Sequence, residues 1–126
     1  MITPRSLAAN ALILLLTFAT PLFAHEAGKG RNGGWRVDAG KYHAELVVDG
    51  STSVAVYLSD ADDKPISAAG FKATAILVLN GKSTRIELTP AGGSKMTGTA
   101  PAPVPARVKG IVQLTAPSGE TAQAKF

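Results

Sequence analysis

The chain has 126 residues, no cysteine and a formal net charge of +4, from 13 Lys+Arg against 9 Asp+Glu. The lack of cysteine excludes disulfides and thiolate metal sites. The basic residues are scattered singly, without clustering or interleaved aromatic residues, so we expect no nucleic-acid partner.

Residues 1–24 have the order of a secretory signal peptide. Arg5 supplies a positive start, residues 11–16 form an apolar core, and Pro21 is followed by Ala24, a small residue suited to peptidase cleavage. A membrane-spanning helix needs about 20 apolar residues, and this run is shorter. We therefore expect cleavage after Ala24, a periplasmic protein, and no membrane span in the mature chain.

Residues 25–34, "HEAGKGRNGG", contain four glycines and predict a flexible lead-in. Gly28, Gly30 and Gly33 match the spacing G-x-G-x-x-G. Dinucleotide binding also requires a strand before this motif and a helix after it, and neither is predicted here. We therefore do not interpret these glycines as a nucleotide site.

From Trp35 onward the sequence has the period-two alternation of β-strands. "YHAELVV" places Tyr42, Ala44 and Leu46 on one face and His43 and Glu45 on the other. The alternating segments "VAVYLS" and "STRIELT" predict further strands. The long apolar run "FKATAILVLN" predicts a strand buried on both sides.

The connections carry turn chemistry. Asn80-Gly81 fits a two-residue hairpin turn, because both residues accept positive φ. "APAPVPA" cannot be a central strand, because each proline lacks an N–H donor, and is predicted as an extended edge connection. Short strands are also predicted around 95–99, in "ARVKGIVQLTA" and in "TAQAKF".

About seven or eight short strands, frequent turns and no helical pattern after residue 24 predict an all-β fold. We expect one antiparallel β-sandwich, immunoglobulin-like in architecture, over residues 35–126. No nucleophile-elbow motif is present, and the two histidines have no supporting catalytic pattern. We therefore expect no enzymatic activity.

The two histidines, His25 and His43, indicate a metal site. Cleavage after Ala24 makes His25 the first residue, with an α-amine beside its own imidazole. These two nitrogens can chelate one ion, and a third from His43 would suit Cu(II) or another divalent transition metal. Glu45 leaves the same strand face as His43, and Glu26 adjoins His25. Either carboxylate could supply an oxygen ligand or orient an imidazole.

Other interpretations of these residues remain open. A histidine at a flexible terminus often binds nothing, and His43 with Glu45 could be an ordinary exposed pair beside Lys41. Met96, the only methionine after residue 24, could add a thioether ligand or fill a gap in the packing.

Three segments carry a recognisable pattern: "NGGWRVDAGKYHAELVV", "VYLSDADDKP" and "LTPAGG". They resemble small exported proteins of Gram-negative bacteria, and the N-terminal segment of periplasmic adaptor proteins of cobalt-zinc-cadmium-type heavy-metal efflux. The resemblance covers most of residues 32–99. Where that family has histidine before Gly-Gly, this chain has Asn32. The matching residues are Gly33, Gly34, Ala39, Gly40, Glu45, Leu46, Val47, Tyr57, Leu58, Asp60, Lys64, Pro65, Leu88, Pro90, Ala91 and Gly92.

Two hypotheses follow. In the first, the protein is a periplasmic metal-handling accessory that binds or buffers a divalent metal, copper above others, for a resistance or efflux system. Its ligands would be His25, His43 and either Glu45 or Glu26. In the second, it is a metal-free β-sandwich interaction module of the cell envelope, which binds a partner through a sheet edge or through "APAPVPA".

Overall fold

The structure is a computed structural model that describes residues 27–126. The expected signal peptide, His25 and Glu26 lie outside this range. Within residues 27–126, no helix has the length and hydropathy needed to cross a membrane. The strands are β1 (Gly28–Lys29), β2 (Trp35–Ala39), β3 (Tyr42–Val47), β4 (Ser53–Ser59), β5 (Lys72–Leu79), β6 (Lys82–Pro90), β7 (Lys95–Thr99), β8 (Gly110–Thr115) and β9 (Thr121–Lys125).

All pairings between these strands are antiparallel, and their order in the sheet is β1-β2-β3-β4-β7-β6-β5-β8-β9. An additional pairing, Ala39 with Ala124, joins β2 to β9. Strands β2 to β9 therefore close into an eight-stranded barrel within the described part of the chain. The all-β, antiparallel prediction is confirmed.

The strands do not form the predicted immunoglobulin-like sandwich of two separate sheets. Two short seams join the two groups of four strands: one residue pair between β2 and β9, and two between β6 and β7. Each remaining neighbour pair in the barrel shares five or more residue pairs. Alternation along a strand is the same in a sandwich and in a barrel, so it did not distinguish them.

The inner face of the barrel is a continuous apolar core. Leu58, Leu77, Met96 and Leu114 are its largest fully buried side chains. The strands alternate as predicted, with Ile86 and Leu88 of β6 inside. The prediction for β5 was wrong, because only one of its faces is buried. Val78, on the outer face of β5, is 45% exposed.

The connections follow the turn chemistry of the sequence. Asn80 and Gly81 both have positive φ, 50° and 75°, and join β5 to β6 as the predicted two-residue hairpin. Residues 100–109 form no strand, in agreement with their prolines. This segment is nevertheless anchored, because the Val104 N–H donates to Ser51 O and the Val104 carbonyl accepts from Gly50 N–H. Val104 itself is fully buried in the core.

We predict that Val104→Ala lowers the free energy of unfolding by about 2 kcal/mol, because it removes two methylene-sized groups from a close-packed site. Val78→Ala is the matched control, since the same atoms are lost from an exposed strand position, and we expect a change within about 0.5 kcal/mol. Urea unfolding of both variants measures the difference. Equal effects would mean that residues 100–109 do not anchor the barrel.

Candidate functional site

The outer face of β3 is unusual because it buries two ionisable side chains. His43 and Glu45 point away from the apolar core, yet only 2% and 6% of their surfaces are exposed. In the barrel, Asp38 of β2 lies opposite His43, and Arg36 lies opposite Glu45. Buried polar groups are costly unless they are hydrogen-bonded, so the partners of these two residues define the site.

His43 lies between two carboxylates. Its Nδ1 is 2.6 Å from Asp63 Oδ1, and its Nε2 is 3.0 Å from Asp38 Oδ1. An ionised carboxylate only accepts hydrogen bonds, so the imidazolium form of His43 donates to both, whereas the neutral form donates to one. In the neutral form, one ring nitrogen thus has a lone pair directed at a carboxylate.

Asp63 reaches His43 from the loop between β4 and β5. Asp63 has a φ of 61°, a left-handed conformation that aspartate tolerates better than most residues. The side chain of Asp60 holds this loop by accepting from the N–H groups of Asp62 and Lys64. The other carboxylate oxygen of Asp63 accepts a short hydrogen bond from Arg36. The hydrogen bond from His43, together with the charge of Arg36, holds the pKa of Asp63 below its usual value.

Glu45 holds the segment that precedes β2. Its carboxylate accepts from the Asn32 and Gly34 N–H groups, at 2.9 and 2.8 Å, and from Asn32 Nδ2 at 3.1 Å. A side chain at Gly30 would collide with Glu45, which explains glycine there. From Gly28 to Gly34, the segment predicted as a flexible lead-in is therefore a short strand and a turn folded over Glu45.

A polar cleft of about 310 Å³ lies beside these residues. Lys29 and Arg31 contribute positive charge from the N-terminal segment, and Arg36 contributes it from the barrel. Tyr57 adds an aromatic ring to the lining. Lys95 Nζ lies 5.8 Å from the centre of the Tyr57 ring, within range of a cation–π contact. The cleft opens the Arg36 and Asp63 side of the site to solvent.

The predicted site residues fall into three groups. His43 and Glu45 are neighbours on one strand face, as predicted, but they bind different partners and are buried rather than exposed. His25 and Glu26 lie outside the described residues. Met96 is fully buried in the core, so it fills space there and faces away from His43. Asn32, the departure from the efflux-adaptor pattern, donates to Glu45.

Sequence reasoning missed Asp38, Asp63 and Arg36. Asp38 could have been found, because a two-residue β-hairpin turn at Gly40–Lys41 places it opposite His43. Asp63 lies in a different loop, and no local spacing indicates that it meets His43. Within residues 27–126, no group of three or more acidic or histidine side chains is arranged to hold a metal ion.

The comparisons with known proteins provide no identification. No protein-family model, no curated protein and no solved structure matches this chain. The residues of the site are therefore the basis for the function proposed below.

We predict that Asp63→Asn destabilises the protein by about 1 kcal/mol at neutral pH, because the side chain loses charged hydrogen bonds at a partly exposed position. Asparagine also tolerates positive φ, so the loop conformation is retained. Folding lowers the pKa of Asp63. The stability that the ionised carboxylate contributes is therefore present above the pKa of the unfolded chain, about 3.9, and is lost as the pH falls through the lower pKa of the folded protein.

Thermal unfolding of Asp63→Asn across acidic and neutral pH measures this loss. The difference in stability between Asp63→Asn and the unmodified protein should become smaller in acid. Asp62→Asn, in the same exposed loop, is the matched control and should change stability by less than about 0.5 kcal/mol at every pH. A difference for Asp63→Asn that does not depend on pH would contradict the ionic role of Asp63.

We predict that Glu45→Gln weakens the turn at residues 30–34, because an amide has only one acceptor oxygen and its NH₂ group would face backbone N–H donors. The expected cost is about 1–3 kcal/mol. Hydrogen exchange should accelerate at the Asn32 and Gly34 amides more than in β5. Glu87→Gln, at an exposed position, is the control. Unchanged exchange at Asn32 and Gly34 would show that Glu45 does not hold this turn.

Proposed function

We propose that the protein is a periplasmic metal-handling accessory, which binds a divalent ion, copper above others, for a resistance or efflux system. The observation that supports this proposal is the pair formed by His43 Nε2 and Asp38 Oδ1 at 3.0 Å. The proposal replaces Glu45 by Asp38 as the oxygen ligand from the barrel, because the Glu45 carboxylate is already occupied by the N-terminal turn.

The spacing of this pair suits two neighbouring ligands of one ion. Metal–nitrogen and metal–oxygen bonds of about 2.0–2.1 Å at a right angle place the two ligand atoms about 2.9 Å apart. His43 Nε2 and Asp38 Oδ1, which are 3.0 Å apart, therefore have about the separation that two neighbouring ligands of one ion require. Binding at Nε2 requires this nitrogen to be deprotonated, so the ion would take the place of a hydrogen bond between Nε2 and Asp38.

Asp63 would orient the imidazole in such a site. A ligating histidine usually donates its second ring N–H to a carboxylate, which fixes its tautomer and makes it a better ligand. Asp63 occupies that position, 2.6 Å from His43 Nδ1, and is itself held by Arg36. The side chain of Asp38 is 41% exposed, so an incoming ion can reach this oxygen from solvent.

The remaining ligands would come from His25. Strand β1 begins at Gly28, which pairs with Arg36, two residues from Asp38 on the same strand. Gly28 is three positions after His25, and an extended segment of three residue steps spans about 10 Å. A segment of this length can therefore extend from Gly28 to the end of β2 that contains Asp38. The α-amine and imidazole of a cleaved N-terminal His25 would add two nitrogens to the one from His43, and Glu26 could add an oxygen.

The second hypothesis, a metal-free interaction module, receives less support. A partner strand needs an unpaired edge, and each strand of the barrel described in residues 27–126 has a neighbouring strand on both sides, although the β2–β9 and β6–β7 seams join only one and two residue pairs. The "APAPVPA" segment is packed through Val104 and hydrogen-bonded to residues 50–52. It is therefore not presented as a free ligand for a partner protein.

The experiment is a titration of the exported protein with Cu(II) and Zn(II), followed by calorimetry and electron paramagnetic resonance. Mass spectrometry first establishes whether His25 is the first residue. We expect binding of one ion, weakened by about tenfold or more in His25→Ala and Asp38→Asn, since each removes a ligand. Glu45→Gln should lower the affinity less than Asp38→Asn does, because it removes no proposed ligand and acts only through the turn that precedes β2.

Asp62→Asn is the matched control for Asp38→Asn, because it removes the same charge from an exposed loop. Affinity should also fall in acid, where protons compete for the nitrogen ligands. Binding that Asp38→Asn and Asp62→Asn weaken equally would reflect net charge alone and would reject the site. A first residue other than His25 would reject its amine as a ligand.

A further inference from the structure

The net charge of the described residues lies on one side of the barrel. The strands β5, β6, β8 and β9 with their connections, residues 72–90 and 107–125, carry six cations against two acids. The rest of residues 27–126 carry six cations against six acids. The six cations of the charged side are Lys72, Lys82, Arg85, Arg107, Lys109 and Lys125, and its two acids are Glu87 and Glu120.

The outer face of these four strands combines this charge with apolar side chains. Strand pairing places Ile76 of β5 beside Ile111 of β8. Arg85 lies next to Ile76, and Lys125 lies next to Ile111, so the four side chains form one row across the face. Val78, 45% exposed, extends the apolar centre along β5. We call this surface the basic face: Lys72, Ile76, Val78, Arg85, Lys109, Ile111 and Lys125.

The charges of the basic face are largely free for a partner. Arg85 pairs with Glu87 at 3.3 Å, but both side chains are strongly exposed, and such pairs contribute little. Lys72, Lys109 and Lys125 take part in none of the salt bridges found among residues 27–126. Three lysines and a solvated arginine therefore surround an apolar centre with one acid nearby.

We propose that the basic face docks on an anionic phospholipid surface. The charge complementarity is direct, because each lysine or arginine near such a surface is attracted to its headgroups. The composition favours lipid over a protein partner. Protein interfaces are enriched in aromatic residues, methionine and arginine and depleted in lysine, whereas the basic face has no aromatic residue and three lysines.

The geometry of the face agrees with this assignment. Its side chains stand on or beside four neighbouring strands. The cleft of about 450 Å³ that Lys72 and Arg85 line also contains the carboxylate of Glu87, so it is not a dedicated pocket for one anionic headgroup. Lysine is a flexible, hydrated point charge, suited to a diffuse anionic surface rather than to one oriented ligand. Ile76, Val78 and Ile111 would contact the interface between the flanking cations. The opposite side of the barrel, with His43 and the polar cleft, would then face away from the lipid.

The test is cosedimentation of the protein with vesicles of phosphatidylglycerol and phosphatidylcholine, compared with vesicles of phosphatidylcholine alone. We expect binding only to the anionic vesicles, decreasing as salt screens the charges. The triple variant Lys72→Gln, Lys109→Gln and Lys125→Gln should bind about fivefold more weakly for each lysine removed.

The matched control is the triple variant Lys29→Gln, Lys64→Gln and Lys95→Gln, which has the same net charge and the same N-terminus but keeps the basic face. It should bind the anionic vesicles within about twofold of the unmodified protein. Equal losses in both triple variants would overturn the proposal, because net charge alone would then explain binding. Binding to soluble polyglutamate but not to anionic vesicles would also overturn it in favour of an acidic protein partner.

Discussion

The burial of His43 and Glu45 on the outer face of β3 is the constraint on which the site depends. Neither side chain can be buried without partners, so each holds a separate part of the chain against the barrel. Glu45 holds the turn before β2 through backbone N–H groups. His43 holds the loop after β4 through Asp63 and meets Asp38 on the neighbouring strand. Two ionisable residues, two positions apart on β3, thus hold the segments that cover an outer sheet face otherwise open to solvent.

The barrel separates two kinds of outer surface. On β2, β3 and the loop after β4, opposite charges lie close together and satisfy one another, which suits a site that exchanges a proton or an ion. On β5, β6, β8 and β9, cations are spread over a sheet without matching acids, which suits a broad charged surface. Both surfaces rest on one apolar core, so a change on one side need not disturb the other. Our two proposals are in this sense independent.

The strands could be predicted from the sequence because alternation and turn chemistry are local. Asn80-Gly81 defines one hairpin, and the prolines of residues 101–105 exclude a strand. The closure through Ala39 and Ala124 could not be predicted, since it joins distant strands whose local pattern fits a sandwich equally well. The position of His43 and Glu45 on one face was predictable from the period of a strand. Their burial was not, because it depends on Asp63 and Asn32, which come from other parts of the fold.

The seam between β2 and β9 also has a consequence for how the chain folds. The first long strand and the last strand of the described chain meet there, so the contact has a very large separation in sequence. Contacts of this kind slow folding, because the entropy of a long loop must be lost before they form. The β2-β3-β4 and β5-β6-β7 meanders can assemble from neighbouring residues, but the ring cannot be completed until β9 joins β2. A folding intermediate without β9 in place would thus carry open strand edges, and a chain shortened before residue 121 would keep them.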